Sequence, residues 1–184
     1  MVDYKKILTE ANPVFVLFLG ATPAVALSTD IKAALGVGVA ALAVMLLSAI
    51  VMGLVGKNLS EKARIAASVL VSAFFVSVAQ MLMGAFLPKT AAMMGVYLAV
   101  LAVNMMVFAS AAKEAPTGEL VKSAVKNGLI FLVAVVVLAG VRVLLGSGML
   151  GGFTVKIFND VYGGLILFAI ELAVLNAILG KKEG

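Results

Sequence analysis

The sequence predicts an all-α membrane protein with six transmembrane helices, of which the first and the fourth are broken. Of the 184 residues, 64% are apolar and only 12% are charged, whereas a soluble domain is about 25% charged. Several apolar runs reach the roughly 20 residues that cross a bilayer as a helix. These runs are continuous rather than alternating, which argues against a membrane β-barrel. We therefore treat residues 1–184 as a single integral membrane domain.

The composition also limits the chemistry that this chain can perform. It contains no Cys and no His, which excludes disulfides, thiol nucleophiles and imidazole metal sites. The net charge of +5 needs no nucleic acid to explain it, because Lys and Arg accumulate in the cytoplasmic loops of membrane proteins.

The first span, residues 13–29, carries helix-breaking residues in its middle. Gly20 and Pro23 flank Thr22, and proline removes a backbone hydrogen bond and crowds the preceding turn, so the helix should break or kink here. Backbone groups freed at membrane depth are tolerated only where protein or a wet cavity satisfies them. The break therefore indicates a site near the bilayer midplane. The alternative is a simple proline kink in which Thr22 bonds to its own helix.

The other five spans are predicted from apolar runs bounded by polar or helix-breaking residues. Thr29 or Asp30 is placed to cap the second span, and Ser60 to cap the third. The third span should end before Pro88, because the residue preceding a proline avoids the helical conformation. The second span is rich in Gly and Ala, which favours close helix packing in lipid. The six predicted spans cover residues 13–29, 33–56, 64–87, 91–112, 121–145 and 161–179.

The spans divide as three and three at Pro88, into halves 1–88 and 89–184. With an odd number of spans in each half, the halves cross the membrane in opposite senses, which permits an inverted repeat that pairs the first span with the fourth. Asn104 interrupts the fourth span and is costly in lipid unless it is paired. It is predicted either to bond to the backbone freed by Pro23 or to take part in ligand binding.

Glu171 is the one acidic residue well inside a predicted span. A carboxylate within the membrane is by default a candidate for coupling to Na⁺ or H⁺. The alternatives are an ion pair with Arg142 or hydrogen bonds to a partner subunit.

The distribution of basic residues predicts that both termini are cytoplasmic. The N-terminus, the second and fourth connections and the C-terminus hold ten of them, and the other three connections hold four. Cytoplasmic segments carry the excess of Lys and Arg. The ten are Lys5, Lys6, Lys57, Lys62, Arg64, Lys113, Lys122, Lys126, Lys181 and Lys182, and the four are Lys32, Lys89, Arg142 and Lys156.

Three segments resemble a known family. LGATPAVALST (residues 19–29) is similar to the first span of the small membrane subunits of the Rnf and Na⁺-pumping Nqr complexes. AVNMMVFASA (residues 102–111) resembles their fourth span, and RVLLGSGMLGG (residues 142–152) the RELLGSG segment after their fifth. The last segment favours the RnfE/NqrD side of the family over the RnfA/NqrE side. The resemblance implies an inverted repeat that pairs with a sister RnfA/NqrE-like subunit around a [2Fe–2S] cluster at the midplane.

The sequence departs from the family at the cluster itself. The family has cysteines where this chain has Thr22 and Met105. Cluster irons are held by thiolates or imidazoles, and neither a hydroxyl nor a thioether is an ordinary substitute. We therefore predict that this chain alone binds no cofactor, while the helix breaks that surround the family's cluster are kept.

The resemblance implies a membrane subunit of an Rnf-type complex, which couples ferredoxin:NAD⁺ electron transfer to Na⁺ or H⁺ movement across the inner membrane of a prokaryote. A subunit of an Na⁺-pumping NADH:quinone oxidoreductase is the near alternative. A stand-alone small ion transporter or a structural paralogue is the alternative from a different class. In every case the chain is expected to be non-catalytic by itself.

Overall fold

The structure is a computed structural model that describes residues 25–28, 30–103, 114–146 and 160–180. Within these ranges the backbone is helical with short connections and contains no strand. Residues 25–27 are helical, and six further α-helices follow. They are α1 (Ile31–Val55), α2 (Glu61–Phe86), α3 (Pro88–Met94), α4 (Val96–Val100), α5 (Thr117–Gly146) and α6 (Val161–Gly180).

The beginning of α1 is fixed by a local side-chain contact. Asp30 Oδ1 accepts the backbone N–H of Lys32 at 2.6 Å and that of Ala33 at 3.2 Å. These amides have no partner inside the helix, so the carboxylate satisfies them and also faces the positive end of the helix dipole. The predicted cap at Asp30 is confirmed. A short 3₁₀ turn, Gly56–Asn58, follows α1.

The ends of α2 follow the predicted signals in part. Ser60 occupies the N-cap position with an extended backbone, but its hydroxyl makes no capping hydrogen bond. The helix ends at Phe86, as the Leu87-Pro88 pair predicts. Pro88 then begins α3, because the first position of a helix needs no N–H and suits the fixed φ of proline.

Within the described residues, three helical segments are long and apolar enough to cross a membrane: Ile31–Asn58, Glu61–Phe86 and Thr117–Gly146. The predicted second, third and fifth spans correspond to them. A shorter apolar stretch, Tyr162–Glu171, lies within α6, in the predicted sixth span. Most of the predicted first span lies outside the described residues, and the inverted repeat stays a prediction.

The fourth predicted span is broken at Gly95, a residue that the sequence did not single out. Gly95 separates α3 from α4 with φ of 48° and ψ of −130°, a conformation that a Cβ atom disfavours. A 3₁₀ turn, Leu101–Val103, follows α4. The predicted interruption at Asn104 lies nine residues further on, outside the described residues.

We expect Gly95→Ala to lower the free energy of unfolding by about 1–2 kcal/mol, since a Cβ atom is disfavoured at positive φ. Space is not the reason, because a Cβ atom there would lie 3.9 Å from the nearest atom, Ala92 O. Gly84→Ala is the control, since it adds the same methyl group within helix α2 where no atom lies within 4 Å. Thermal unfolding in detergent measures the stability of both variants. Equal stability of the two variants would contradict the argument.

The core of the described region lies between α1 and α5, which share the largest helix–helix interface. A Cβ atom added at Gly38 would lie 3.2 Å from Leu132 Cα, and one added at Gly128 would lie 3.1 Å from Leu42 Cα. The two contacts are reciprocal, with a glycine of each helix against a leucine of the other. Small residues let the backbones approach in this way, as the composition of the second span predicts.

Candidate functional site

Most residues predicted to form the midplane site lie outside the described residues: Gly20, Thr22, Pro23, Asn104 and Met105. What the structure does describe is the segment directly after the predicted break, residues 25–28, together with the side chains that hold it. Glu171, the predicted ion-pathway residue, also lies in the described part. These two positions define the part of the candidate site that has known geometry.

Arg142, near the end of α5, binds the segment that follows the break. Its Nη1 donates to Val25 O at 2.6 Å and to Ser28 Oγ at 2.9 Å. Its Nη2 donates to Asp160 O at 2.6 Å. The Ser28 hydroxyl in turn donates to Val25 O at 2.9 Å. One guanidinium thus ties together the end of the first span, the end of the fifth and the start of the sixth.

Burial explains why Arg142 makes these contacts. Only 1% of the residue is exposed, and a buried cation is tolerated only where polar groups satisfy it. The rigid fork of guanidinium donors suits several acceptors at once. Val25 O belongs to the helical residues 25–27, at the C-terminal end of which carbonyls are left without helical partners and can accept from a cation.

Gly164 lets α6 pass close to this guanidinium. A Cβ atom at Gly164 would lie 2.7 Å from Arg142 Nη1 and 2.9 Å from Val25 Cγ1. No larger residue fits here without moving either the guanidinium or the segment after the break. The position of residues 25–28 therefore depends on Arg142 and on a glycine 22 residues further along the chain.

Glu171 lies on the face of α6 that turns toward the rest of the chain. Leu167 and Phe168, one turn earlier, are both buried. Glu171 Oε2 is buried and has no hydrogen-bond partner among the described residues. Glu171 follows Gly164 by seven residues, or about 10 Å along a helix. The hydrogen bonds of Arg142 given above go to carbonyls and a hydroxyl, and not to the Glu171 carboxylate.

A second buried arginine organises the connection between α1 and α2. Arg64 Nε donates to Gly56 O at 3.2 Å, and its Nη2 to Leu59 O at 3.1 Å. Its Nη1 pairs with Glu114 Oε2 at 3.0 Å. The carboxylate partner is largely exposed, so the ion pair itself contributes little. The main role of Arg64 is to satisfy the carbonyls of the turn.

Next to this turn, the end of α1 is in close contact with the start of α5. Thr117 Oγ1 donates to Gly53 O at 2.9 Å, and a Cβ atom at Gly53 would lie 2.5 Å from Thr117 Cγ2. A cavity of about 280 Å³ lies beside this junction, with Lys57, Arg64 and Glu114 in its wall. The junction joins the two connections that the charge count predicts to be cytoplasmic.

The donor groups of this chain do not fit an iron–sulfur cluster. It contains no Cys and no His, and the irons of such clusters need thiolate or imidazole ligands. The described ranges contain no group of three His, Cys, Asp or Glu residues that would hold a metal ion.

Sequence reasoning missed two features of this region. It counted Arg142 among the charges of a connection and offered an ion pair with Glu171 as one alternative, but it did not predict the bonds to backbone carbonyls and a hydroxyl that the structure shows. It gave Gly164 no role. The one signal in the sequence was the pair Gly163-Gly164 at the start of the sixth span, and glycine is common in membrane helices.

Comparison with known proteins places the chain in one family. The family described as "Rnf-Nqr subunit, membrane protein" matches residues 3–179. The E subunit of the Na(+)-translocating ferredoxin:NAD(+) oxidoreductase complex of Acetobacterium woodii is 33% identical over 162 residues, covering 86% of this chain and 82% of the relative. The E subunit of an ion-translocating oxidoreductase complex of Cellvibrio japonicus is 32% identical, covering 86% and 70%.

A third relative is the E subunit of the proton-translocating ferredoxin:NAD(+) oxidoreductase complex of Clostridium ljungdahlii. It is 28% identical over 186 residues, covering 94% of this chain and 86% of the relative. The family match covers residues 3–179 and so includes the three segments that meet at Arg142. The chain thus belongs to the Rnf-Nqr family of membrane subunits, as an RnfE-like member.

Proposed function

We propose that this protein is a membrane subunit of an Rnf-type complex, which couples ferredoxin:NAD⁺ electron transfer to the movement of Na⁺ or H⁺. The observation that carries the proposal is the length of the similarity, since the chain spans 82% of the Acetobacterium woodii relative. The chain contains no Cys and no His, the residues that ordinarily hold iron–sulfur clusters, so we place the cluster-bearing redox carriers in other subunits.

In this proposal the chain forms half of a pseudo-symmetric membrane core with a sister RnfA/NqrE-like subunit. Both termini face the cytoplasm, in accord with the distribution of basic residues. Thr22 and Met105 stand where the family has cluster cysteines, and they supply no cluster ligand. The role retained is that of a scaffold, in which Arg142 fixes the segment that follows the first helix break.

Purification of the tagged chain from its own membranes tests the assignment. We expect flavin-bearing and ferredoxin-like subunits to co-purify, with ferredoxin:NAD⁺ oxidoreductase activity that is lost when the gene is deleted. NADH:quinone activity in the same preparation would point instead to the Nqr-type alternative. A chain that purifies alone and whose deletion leaves the membrane's ferredoxin:NAD⁺ activity unchanged would overturn the proposal.

Iron analysis tests the absence of a cluster ligand. With electron paramagnetic resonance, we expect all the iron of the purified complex to be accounted for by clusters in subunits that contain cysteines. Thr22→Ala and Met105→Leu should leave iron content and cluster signals unchanged. Loss of a cluster signal in either variant, with the complex still assembled, would overturn this part of the proposal.

Glu171 is the proposed ion-pathway residue, supported by its buried carboxylate oxygen without a partner among the described residues. Glu171→Gln keeps the shape of the side chain and removes its charge, so ion-coupled turnover should fall at least tenfold while the complex still assembles. Glu119→Gln, at the exposed start of α5, is the matched control. Ion uptake into inverted vesicles measures the effect, and unchanged coupling in Glu171→Gln would count against this role.

A further inference from the structure

An apolar groove runs along the surface between α1 and α2. It encloses about 540 Å³, within the range of about 300–1,000 Å³ that is usual for small-molecule sites. Its lining includes small residues, among them Gly36, Ala40 and Ala43 of α1 and Ala79 of α2. It also includes larger apolar side chains, such as Val39 and Leu82.

The groove has a defined depth in the membrane. Along α1 it extends from Lys32 to Ala43, eleven residues or about 16 Å of helix. Along α2 it reaches back from the helix end only to Ala79. Half of the hydrocarbon core of a bilayer is about 15 Å thick. The groove is therefore about as long as the hydrocarbon layer of one leaflet is thick.

Its polar groups are confined to one end. Lys32 and Thr90 line the mouth, and Lys89 is adjacent to Thr90 in the sequence and exposed. Asp30, the nearest acid in the sequence, uses its carboxylate to cap α1. A lysine at the membrane surface extends its ammonium toward the headgroups while its stem covers apolar surface. The mouth is thus suited to a negative charge.

We propose that this groove binds one acyl chain of an anionic phospholipid, whose phosphate is held by Lys32 and the hydroxyl of Thr90. The depth matches the length of a chain within a single leaflet, and the charge at the mouth matches the headgroup. The occupant is a lipid rather than a partner helix, because the charged residue of the described lining, Lys32, stands at the end of the groove where a lipid headgroup would lie.

Filling the groove tests the proposal. Val39→Trp places a large ring in the groove, and Val133→Trp on α5 is the matched control, since both valines are 57% exposed. The intact complex carrying each variant is purified in mild detergent, and its bound phospholipids are counted by native mass spectrometry. We expect Val39→Trp to retain one phospholipid fewer than the wild type and Val133→Trp to retain the same number.

A second variant tests the headgroup contact without adding bulk. Lys32→Gln should weaken the binding of phosphatidylglycerol to the delipidated complex about fivefold, because it removes a charged donor to the lipid phosphate. Lys57→Gln, beyond the opposite end of α1, should leave binding unchanged. An unchanged lipid count in Val39→Trp, or loss of a protein subunit from that variant, would overturn the proposal. Equal phosphatidylglycerol binding by Lys32→Gln and the wild type would also overturn it.

Discussion

Replacing Arg142 with methionine is expected to lower the free energy of unfolding by about 3 kcal/mol or more and to reduce the amount of assembled complex in the membrane. The guanidinium binds Val25 O and Asp160 O, each at 2.6 Å. Each such charge-assisted hydrogen bond contributes about 1.5–3 kcal/mol. Methionine fills much of the same volume but donates no hydrogen bond. The end of the first span would lose its tie to α5 and α6.

Two further variants separate charge from geometry. Arg142→Lys keeps a cation at the same position, but a single ammonium on a flexible stem cannot reproduce the planar fork that binds two carbonyls and a hydroxyl. Its stability should lie between that of the wild type and that of Arg142→Met. Lys122→Met removes a charge from an exposed position of the same helix and should change stability by less than about 0.5 kcal/mol.

Thermal unfolding in detergent and the yield of the assembled complex on a native gel measure these effects. If Arg142→Met were as stable as Lys122→Met, the contacts of Arg142 would contribute nothing and the anchoring of the first span would need another explanation. If Arg142→Lys were fully stable, charge alone would be sufficient and the fork geometry would be irrelevant.

Helix positions could be predicted from the sequence because their signals are local. Continuous apolar runs marked α1, α2 and α5, and their predicted ends differ from the observed ends by only a few residues. Asp30 caps α1 through amides two and three residues away. Pro88 acts on the residue before it, so the end of α2 followed directly. In each case the cause and its effect are neighbours in the chain.

The break at Gly95 could not be found in the same way. The chain has 18 glycines, and most membrane helices tolerate glycine without breaking. Gly95 lies between Met94 and Val96, with no proline or polar residue directly beside it. Its positive φ depends on how α3 and α4 pack against the rest of the chain. That packing has no signature in the local sequence.

The role of Arg142 escaped sequence reasoning for a different reason. Residue types suggested Glu171 as its partner, because an acid and a base within a membrane are expected to pair. Among the described residues its acceptors include two backbone carbonyls and a serine hydroxyl. Every residue has a carbonyl, so no sequence pattern marks those that become acceptors. The distant position of Val25 is fixed only by the folded chain.

Replacing Gly128 with leucine is expected to lower the free energy of unfolding by about 3 kcal/mol, because overpacking a tight interface forces the backbone to move. A Cβ atom at this position would lie 3.1 Å from Leu42 Cα, and a backbone atom cannot turn aside as a flexible side chain does. Helices α1 and α5 would have to separate, and the reciprocal contact between Gly38 and Leu132 would be lost with them.

Gly140 provides a control on the same helix, since no atom lies within 4 Å of a Cβ atom placed there. Replacing each of the two glycines with alanine should change the free energy of unfolding in opposite directions. Gly140→Ala should raise stability by up to about 1 kcal/mol, because alanine favours the helix over glycine. Gly128→Ala gains the same helix preference, but the added methyl group collides with α1, so its net effect should be a loss of stability. If both variants stabilised the protein equally, helix preference alone would explain the result and the glycine contact would have no role. If Gly140→Ala stabilised the protein and Gly128→Ala destabilised it, the close approach of α1 and α5 would lie at Gly128. The added methyl group is the same in both variants, and only its surroundings differ.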